Sequence, residues 1–249
     1  MTGRPGNHRG NVVRRGAGRS RVPPVRTLED IWPLFGLRIT AGPLQLRPVA
    51  DADIPGLVAL AVEGIHPADR MPFSYPWTSA PRDELPRDMA AYYWRTRAGI
   101  TPDRWTVDFA VRRDGELVGV QGFGTDGYLV THTGETGSWL GQRHQGRGTG
   151  TLMRQTLCAF LFDHLDAEEI TSAAFLDNPA SLAVSRKVGY LPNGDFRERR
   201  RPGEMALNRK LRLTEPALVR HEHELRVEGL APVRRLLGLD RADGSDRTT

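Results

Sequence analysis

The sequence predicts an α+β protein built on a mixed central sheet, and three observations carry that prediction. Trp105, Val107, Phe109 and Val111 alternate with polar residues up to Asp114-Gly115, and an apolar run over 117–123 returns from that turn, the pattern of a β-hairpin. Met153, Leu157, Phe160 and Leu161 recur at helical spacing behind a glycine-rich turn. The elements read in the order strand, two helices, three strands, helix, strand, helix, two strands, which neither an all-helical nor an all-strand fold would give.

Taken in order, folded structure is expected from about Ile31-Trp32-Pro33-Leu34-Phe35. Residues 44–47 alternate like a strand, and Asp51 or Asp53 caps a helix through about Val62. Residues 65–81 read as an aromatic loop with Phe73, Tyr75 and Trp77, and 87–97 as a helix carrying Tyr92, Tyr93 and Trp94. The hairpin follows, then a short strand over 135–140, a helix from near Gly148 and a strand over 170–175. A helix over 178–188, capped by Asp177-Asn178-Pro179, leads to a last pair of strands within 189–213. Residues 27–213 thus form the main domain. Residues 214–249 are expected to be an appendage with a short helix from Leu230 to Leu237 and a frayed end beyond 240.

Composition narrows the function classes. Of 249 residues, 39% are hydrophobic and 26% charged, ordinary values for a soluble protein. No apolar run approaches the ~18 residues that span a bilayer, and the first residues lack the apolar core of a secretory signal. With Cys158 as the sole cysteine there is no disulfide within the chain, and a reducing cytoplasm is the expected setting. The net charge of +5 is uneven: residues 1–26 hold seven arginines and no acid, so the remainder carries −2. That leader is expected to be disordered. An anionic-surface or nucleic-acid arm is its functional reading and a floppy leader the plainer one, so nucleic acid is not the expected partner.

One loop carries chemistry. After Gly137-Ser138-Trp139-Leu140 comes Gly141-Gln142-Arg143-His144-Gln145-Gly146-Arg147-Gly148-Thr149-Gly150, and then the helix. Glycines let backbone N–H groups turn toward a ligand, and the helix N-terminus adds free donors and a positive dipole, a natural diphosphate seat. A Walker loop would need Gly-Lys-Ser/Thr, and a dinucleotide fingerprint would space its glycines differently.

Gln145-Gly146-Arg147-Gly148-Thr149-Gly150 resembles the Gln/Arg-x-x-Gly-x-Gly/Ala acyl-CoA loop of the GNAT superfamily of N-acetyltransferases. Asp177-Asn178-Pro179-Ala180-Ser181 followed by Lys187-Val188-Gly189-Tyr190 resembles a segment of the branch that acetylates ribosomal-protein N-termini. The resemblance covers about 44–213. It implies a mostly antiparallel sheet with helices on both faces and a splayed strand pair, against whose open edge the pantetheine arm of acetyl-CoA, or of another short acyl-CoA, lies. It also implies main-chain contacts from Trp139, Leu140 and Gln142, and phosphate contacts from Arg143, Gln145, Gly146, Arg147, Gly148, Thr149, Gly150 and Thr151. Asn178 would face the cofactor or serve as a plain helix cap; both uses can hold together.

The implied reaction is direct attack of a primary amine on the thioester, the amine belonging to a protein N-terminus or a small molecule. One branch of the family uses a Glu base and a Tyr acid at positions that here hold Ala173 and Ser185. The remaining base is Glu135, acting through water, and Ser181 is the thiolate donor. An exposed strand carboxylate and a first-turn serine are the plain alternatives. Phe73, Tyr75, Trp77, Tyr93 and Trp94 are the aromatics expected to line the acceptor site, with His66 and Asp69 nearby. No metal is expected, since His221-Glu222-His223-Glu224 lacks His-Glu-x-x-His spacing and reads as a solvated helix face. Cys158 reads as a small buried residue. A homodimer through the C-terminal segment fits the same outline, and a non-catalytic acyl-CoA sensor is the competing class.

Overall fold

The computed structural model describes residues 26–240. The expected arginine-rich leader and frayed end lie outside the described residues, apart from Arg26. The elements are α1 (Leu28–Ile31), β1 (Arg38–Ala41), β2 (Leu44–Pro48), α2 (Ile54–Glu63), α3 (Leu85–Ala98), β3 (Arg104–Arg113), β4 (Glu116–Asp126) and α4 (Tyr128–Thr131). Then follow β5 (Thr133–Leu140), α5 (Thr149–His164), β6 (Glu169–Phe175), α6 (Pro179–Val188), β7 (Leu191–Arg201), β8 (Glu204–Thr214), β9 (Leu225–Glu228) and α7 (Leu230–Leu236). Nine strands form one sheet in the order β7-β8-β6-β5-β4-β3-β2-β1-β9. Every neighbouring pair is antiparallel except β5 with β6.

The β3–β4 hairpin closes through Asp114 and Gly115, both at positive φ, which is why an Asp-Gly pair stands there. Alternation divides the sheet's two faces. Leu44 and Leu46 of β2, with Trp105, Val107, Phe109 and Val111 of β3, pack on Met153, Leu157, Phe160 and Leu161 of α5. On the other face Ala110 and Val120 meet Ile54, Leu57 and Ala61 of α2 and Leu85, Met89 and Tyr93 of α3. Cys158 is fully buried in the α5 core, and burial pushes its thiol up to about 11, so it packs and does not react.

Two strands were not foreseen. β1 and β9 pair with each other, and β1 also pairs with β2, so the C-terminal segment closes the sheet's far edge. Its expected helix is present as α7, yet Leu218, Val233 and Leu237 are core residues. The His221–Glu224 stretch is a loop and not a helix face: His221 Nε2 lies 3.3 Å from Thr156 Oγ1 of α5, and His221 stacks on His223. Among the described residues no cluster suits a metal ion, and no helix is long and apolar enough to cross a membrane.

Gly189 ends α6 at φ +107, and a Cβ there would run into the Ala217 carbonyl. Gly189→Ala is expected to cost about 2 kcal/mol of stability, read from urea unfolding midpoints.

Candidate active site

The sheet opens at β5. Thr133, Gly134 and Glu135 pair with Glu169, Ile170 and Thr171, and there the pairing stops, although β5 runs on to Leu140 and β6 to Phe175. Two hydroxyls bridge the start of the gap: Ser172 Oγ donates to the Thr136 carbonyl and Thr136 Oγ1 to the Thr171 carbonyl, both at 3.2 Å. Beyond them the side of β5 turned away from β4 has no strand partner, which is the condition for an extended ligand to pair with it. Helices α5 and α6 lie beneath the opening.

The glycine loop meets this cleft at its end. Gly146 (φ +71) and Gly148 (φ +79) hold conformations that cost little only for glycine, and no atom lies within 4 Å of where a Cβ would project. Gly148 is the N-cap of α5 with no side-chain cap, and the first intrahelical bond runs from Leu152 N–H to its carbonyl. The donors of the first turn are left for a ligand, at the positive end of a 16-residue helix. Gly150 differs: a Cβ there would make ordinary contact with Val184 (3.6 Å) and Leu140 (3.8 Å), so only a larger side chain would press on β5 and α6. The residues present fit an acyl-CoA, with diphosphate on the loop and the arm along β5.

Several loop side chains do other work. Gln145 Nε2 donates to the Ile65 carbonyl (2.7 Å) and the Leu140 carbonyl (2.9 Å), tying the loop to the segment after α2. Arg143 is paired with Glu63 and, at 3.6 Å, Glu116, so it is not a phosphate-facing charge. The Gln142 N–H donates to Gly64 and its carbonyl accepts from Gln145, which removes it from the main-chain contacts expected of it. Thr149 is buried; its Oγ1 accepts from Arg113 Nη1 at 2.7 Å, and the same nitrogen donates to the Arg147 carbonyl at 2.9 Å. Arg113, at the end of β3, is a missed residue that shapes the loop and adds positive charge beside it. Arg147 is exposed and Thr151 half-buried. Gln145→Ala is expected to cost about 1–2 kcal/mol of stability, read by thermal unfolding, because two carbonyls lose their donor.

Asn178 caps α6, its Oδ1 accepting from the Ser181 N–H at 3.1 Å. That is the plain cap; Ser181 itself is half-buried in the first helical turn.

Glu135 stands at the last paired position, exposed, on the same face of the sheet as α2 and α3. Desolvation raises its carboxyl above the ordinary range, Glu198 adds to the rise, and Lys210 opposes it. Glu198 is held by Asn208 Nδ2 (2.6 Å) and by Ser74 Oγ (3.1 Å) from the α2–α3 connection. Asp108 is a second acid on this face that the sequence reading missed. It stands opposite Gly122, itself opposite Gly137, so two glycines leave a bare strip of sheet beside it. Burial pushes the Asp108 carboxyl up to about 6, with Tyr92 opposing, and its Oδ2 accepts no hydrogen bond among the described residues.

The expected aromatic lining divides. Phe73 packs on Trp77 (centroids 5.3 Å) and Trp77 on Trp139 (5.7 Å), a wall that joins the α2–α3 connection to β5. Tyr93 is 5% exposed and belongs to the core under α3. Trp94 turns outward, donating to Asp51 Oδ1 at 3.1 Å, and Tyr75 is 78% exposed. Trp94 therefore does not line the site, while Tyr93 backs the wall from the core, packed in one cluster with Phe73, Trp77 and Trp139. His66 is engaged with Thr78 and the Pro67 carbonyl inside its own loop, and Asp69 is exposed.

An opened strand pair over a glycine-capped helix, with a carboxylate at the junction, defines an acyl-CoA-binding acetyltransferase scaffold. The acetyltransferase (GNAT) domain family matches residues 44–191, more than half of the chain, and the protein belongs to that family, whose co-substrate is acetyl-CoA. YdaF of Bacillus subtilis (strain 168), whose name proposes ribosomal N-acetylation, is 28% identical over 69 residues. That match covers 28% of this chain and 38% of YdaF, so the chain matches well under half of the length of its curated relative. Among solved structures, RimJ of Mycobacterium smegmatis with a coenzyme A disulfide has a TM-score of 0.59 at 20% identity, covering 74% of this chain and 89% of that one. RimL with coenzyme A, a ribosomal-protein α-N-acetyltransferase, scores 0.58 at 18% identity, covering 70% and 95%. A chimera of spermidine N-acetyltransferase SpeG from Vibrio cholerae scores 0.54 at 14% identity, covering 70% and 96%. At these identities the likeness establishes the fold.

Proposed function

We propose that the protein transfers an acetyl group from acetyl-CoA to a primary amine, of a protein N-terminus or a small molecule, by direct attack. The observation that carries this reading is the end of β5–β6 pairing at Glu135, beside a helix whose capping glycine leaves its first N–H groups open. Acetyl-CoA supplies an acyl group activated as a thioester. The α5 N-terminus and the Gly146–Gly148 turn hold its diphosphate, and the open edge of β5 at Trp139 and Leu140 aligns its arm.

The amine approaches from the α2–α3 face, along the wall of Phe73, Trp77 and Trp139. An alkylammonium of pKa ~10 is only about 0.1% free base at pH 7, and Glu135 offsets that deficit by accepting the proton through water. Its raised pKa brings it closer to neutral pH, where a general base is most useful. Ser181 is the hydroxyl that meets the departing sulfur. Assembly as a homodimer through the C-terminal segment belongs to the same reading: β9 is the last strand of the sheet, and sedimentation at micromolar concentration checks it.

The test is release of free coenzyme A thiol against a panel of N-terminal peptides, polyamines and other primary amines. Acceptor-dependent turnover at kcat/KM above ~10^3 M⁻¹s⁻¹ supports an enzyme. Tight acetyl-CoA binding without acceptor-dependent release for any amine would leave a sensor on the same fold.

A further inference from the structure

Beneath the cleft, on α5, lies a cation with no counter-ion. Arg154 is 5% exposed and takes part in no ion pair among the described residues. Its Nη2 donates to Ser138 Oγ on β5 at 2.7 Å and its Nη1 to Ser185 Oγ on α6 at 3.1 Å, while Nε has no partner. The guanidinium therefore spans the two walls of the cleft along its floor. The titratable groups packed near it are Cys158, four residues on along α5, and Tyr190, just after α6. Burial keeps both neutral. Glu135 stands on the other face of the sheet.

A buried guanidinium without an anion is costly, and two neutral hydroxyls repay only part of its lost hydration. An anion that arrives during the working cycle would supply the missing partner. The acceptor amine comes from the Glu135 face, above the sheet. With acyl-CoA paired to the open edge of β5, the carbon–sulfur bond would lie within the opening, and sulfur leaving away from the incoming nitrogen would meet the floor.

We propose that Arg154 is a catalytic residue whose guanidinium, flanked by Ser138 and Ser185, receives the negative charge of the departing coenzyme A thiolate. This rests on the acyl-CoA reading above. The attacking nitrogen forms the C–N bond and gives up its proton to the Glu135 side. The C–S pair leaves with sulfur, which stays a thiolate against Arg154 until it takes a proton from water, directly or by way of the Ser181 hydroxyl, which takes one back from water in the same step.

The experiment needs no turnover. Coenzyme A and desulfo-coenzyme A are titrated calorimetrically into wild type, Arg154→Met and Arg154→Lys at pH 6 and pH 9. A free thiol has pKa ~8.5, so a site that favours thiolate tightens for coenzyme A, relative to the desulfo compound, as pH rises. Wild type is expected to gain at least 10-fold in that ratio, Arg154→Met under 2-fold, and Arg154→Lys most of the wild-type gain. A residue that only orders the arm would lower affinity for both ligands equally at both pH values. That result, or a wild type without pH-linked preference, overturns the inference and leaves the acyl-CoA reading standing. Binding of neither ligand by folded wild type would take down the acyl-CoA reading as well.

Discussion

Gly148→Glu is expected to abolish acetyl-CoA binding while the protein stays folded. Micromolar affinity, about −8 kcal/mol, would fall by at least 100-fold in calorimetric titration. Two effects act together. Gly148 sits at φ +79, so any side chain strains the turn that presents the first N–H groups of α5. The space above it is empty, so a carboxylate fits without steric conflict and occupies the seat with the charge of a phosphate. The same openness is why the fold should survive: no packed neighbour is displaced, and a loss of about 1–2 kcal/mol in unfolding free energy is the expected limit. Gly150→Glu would act differently, forcing Val184 and Leu140 apart where β5 and α6 approach.

Glu135→Gln is expected to lower kcat by 10²–10³ at pH 7 with the KM for acetyl-CoA within about 2-fold, because the residue stands apart from the phosphate loop. The pH profile separates a base from a structural carboxylate. Glu135's pKa is raised, so the unprotonated, competent form is lost as pH falls through that value, above the ordinary 4.5. Wild-type kcat/KM should therefore show an acid limb from Glu135 below the limb set by the substrate amine. The variant should retain only the amine's limb. Replacing Lys210, which pulls the Glu135 pKa down, should move the acid limb to higher pH.

What was legible in the sequence was local. The hairpin announced itself through alternation around Asp114-Gly115, and the phosphate seat through three glycines ahead of an apolar helix. Short strands were not legible: β1 and β9 have four residues each, too few for a period to stand out, and β9 exists because β1, itself paired with β2, offers it an edge. Side-chain roles failed wherever the partner is remote. Arg143 was expected on the phosphates, but Glu63 lies 80 positions upstream and claims it. Trp94 was expected in the acceptor wall, but helical phase turns it toward Asp51. Asp108, Arg113 and Arg154 drew no notice because nothing near them in sequence marks them; only strand register and helix packing bring them to the site.

Amide hydrogen exchange with and without acetyl-CoA tests the central claim most directly. If the co-substrate pairs with the open edge of β5 and caps α5, protection should rise at 136–140 and 146–152, with little change in β1, β9 and α7. Binding that leaves those two stretches unchanged and protects another surface would contradict the placement of the site.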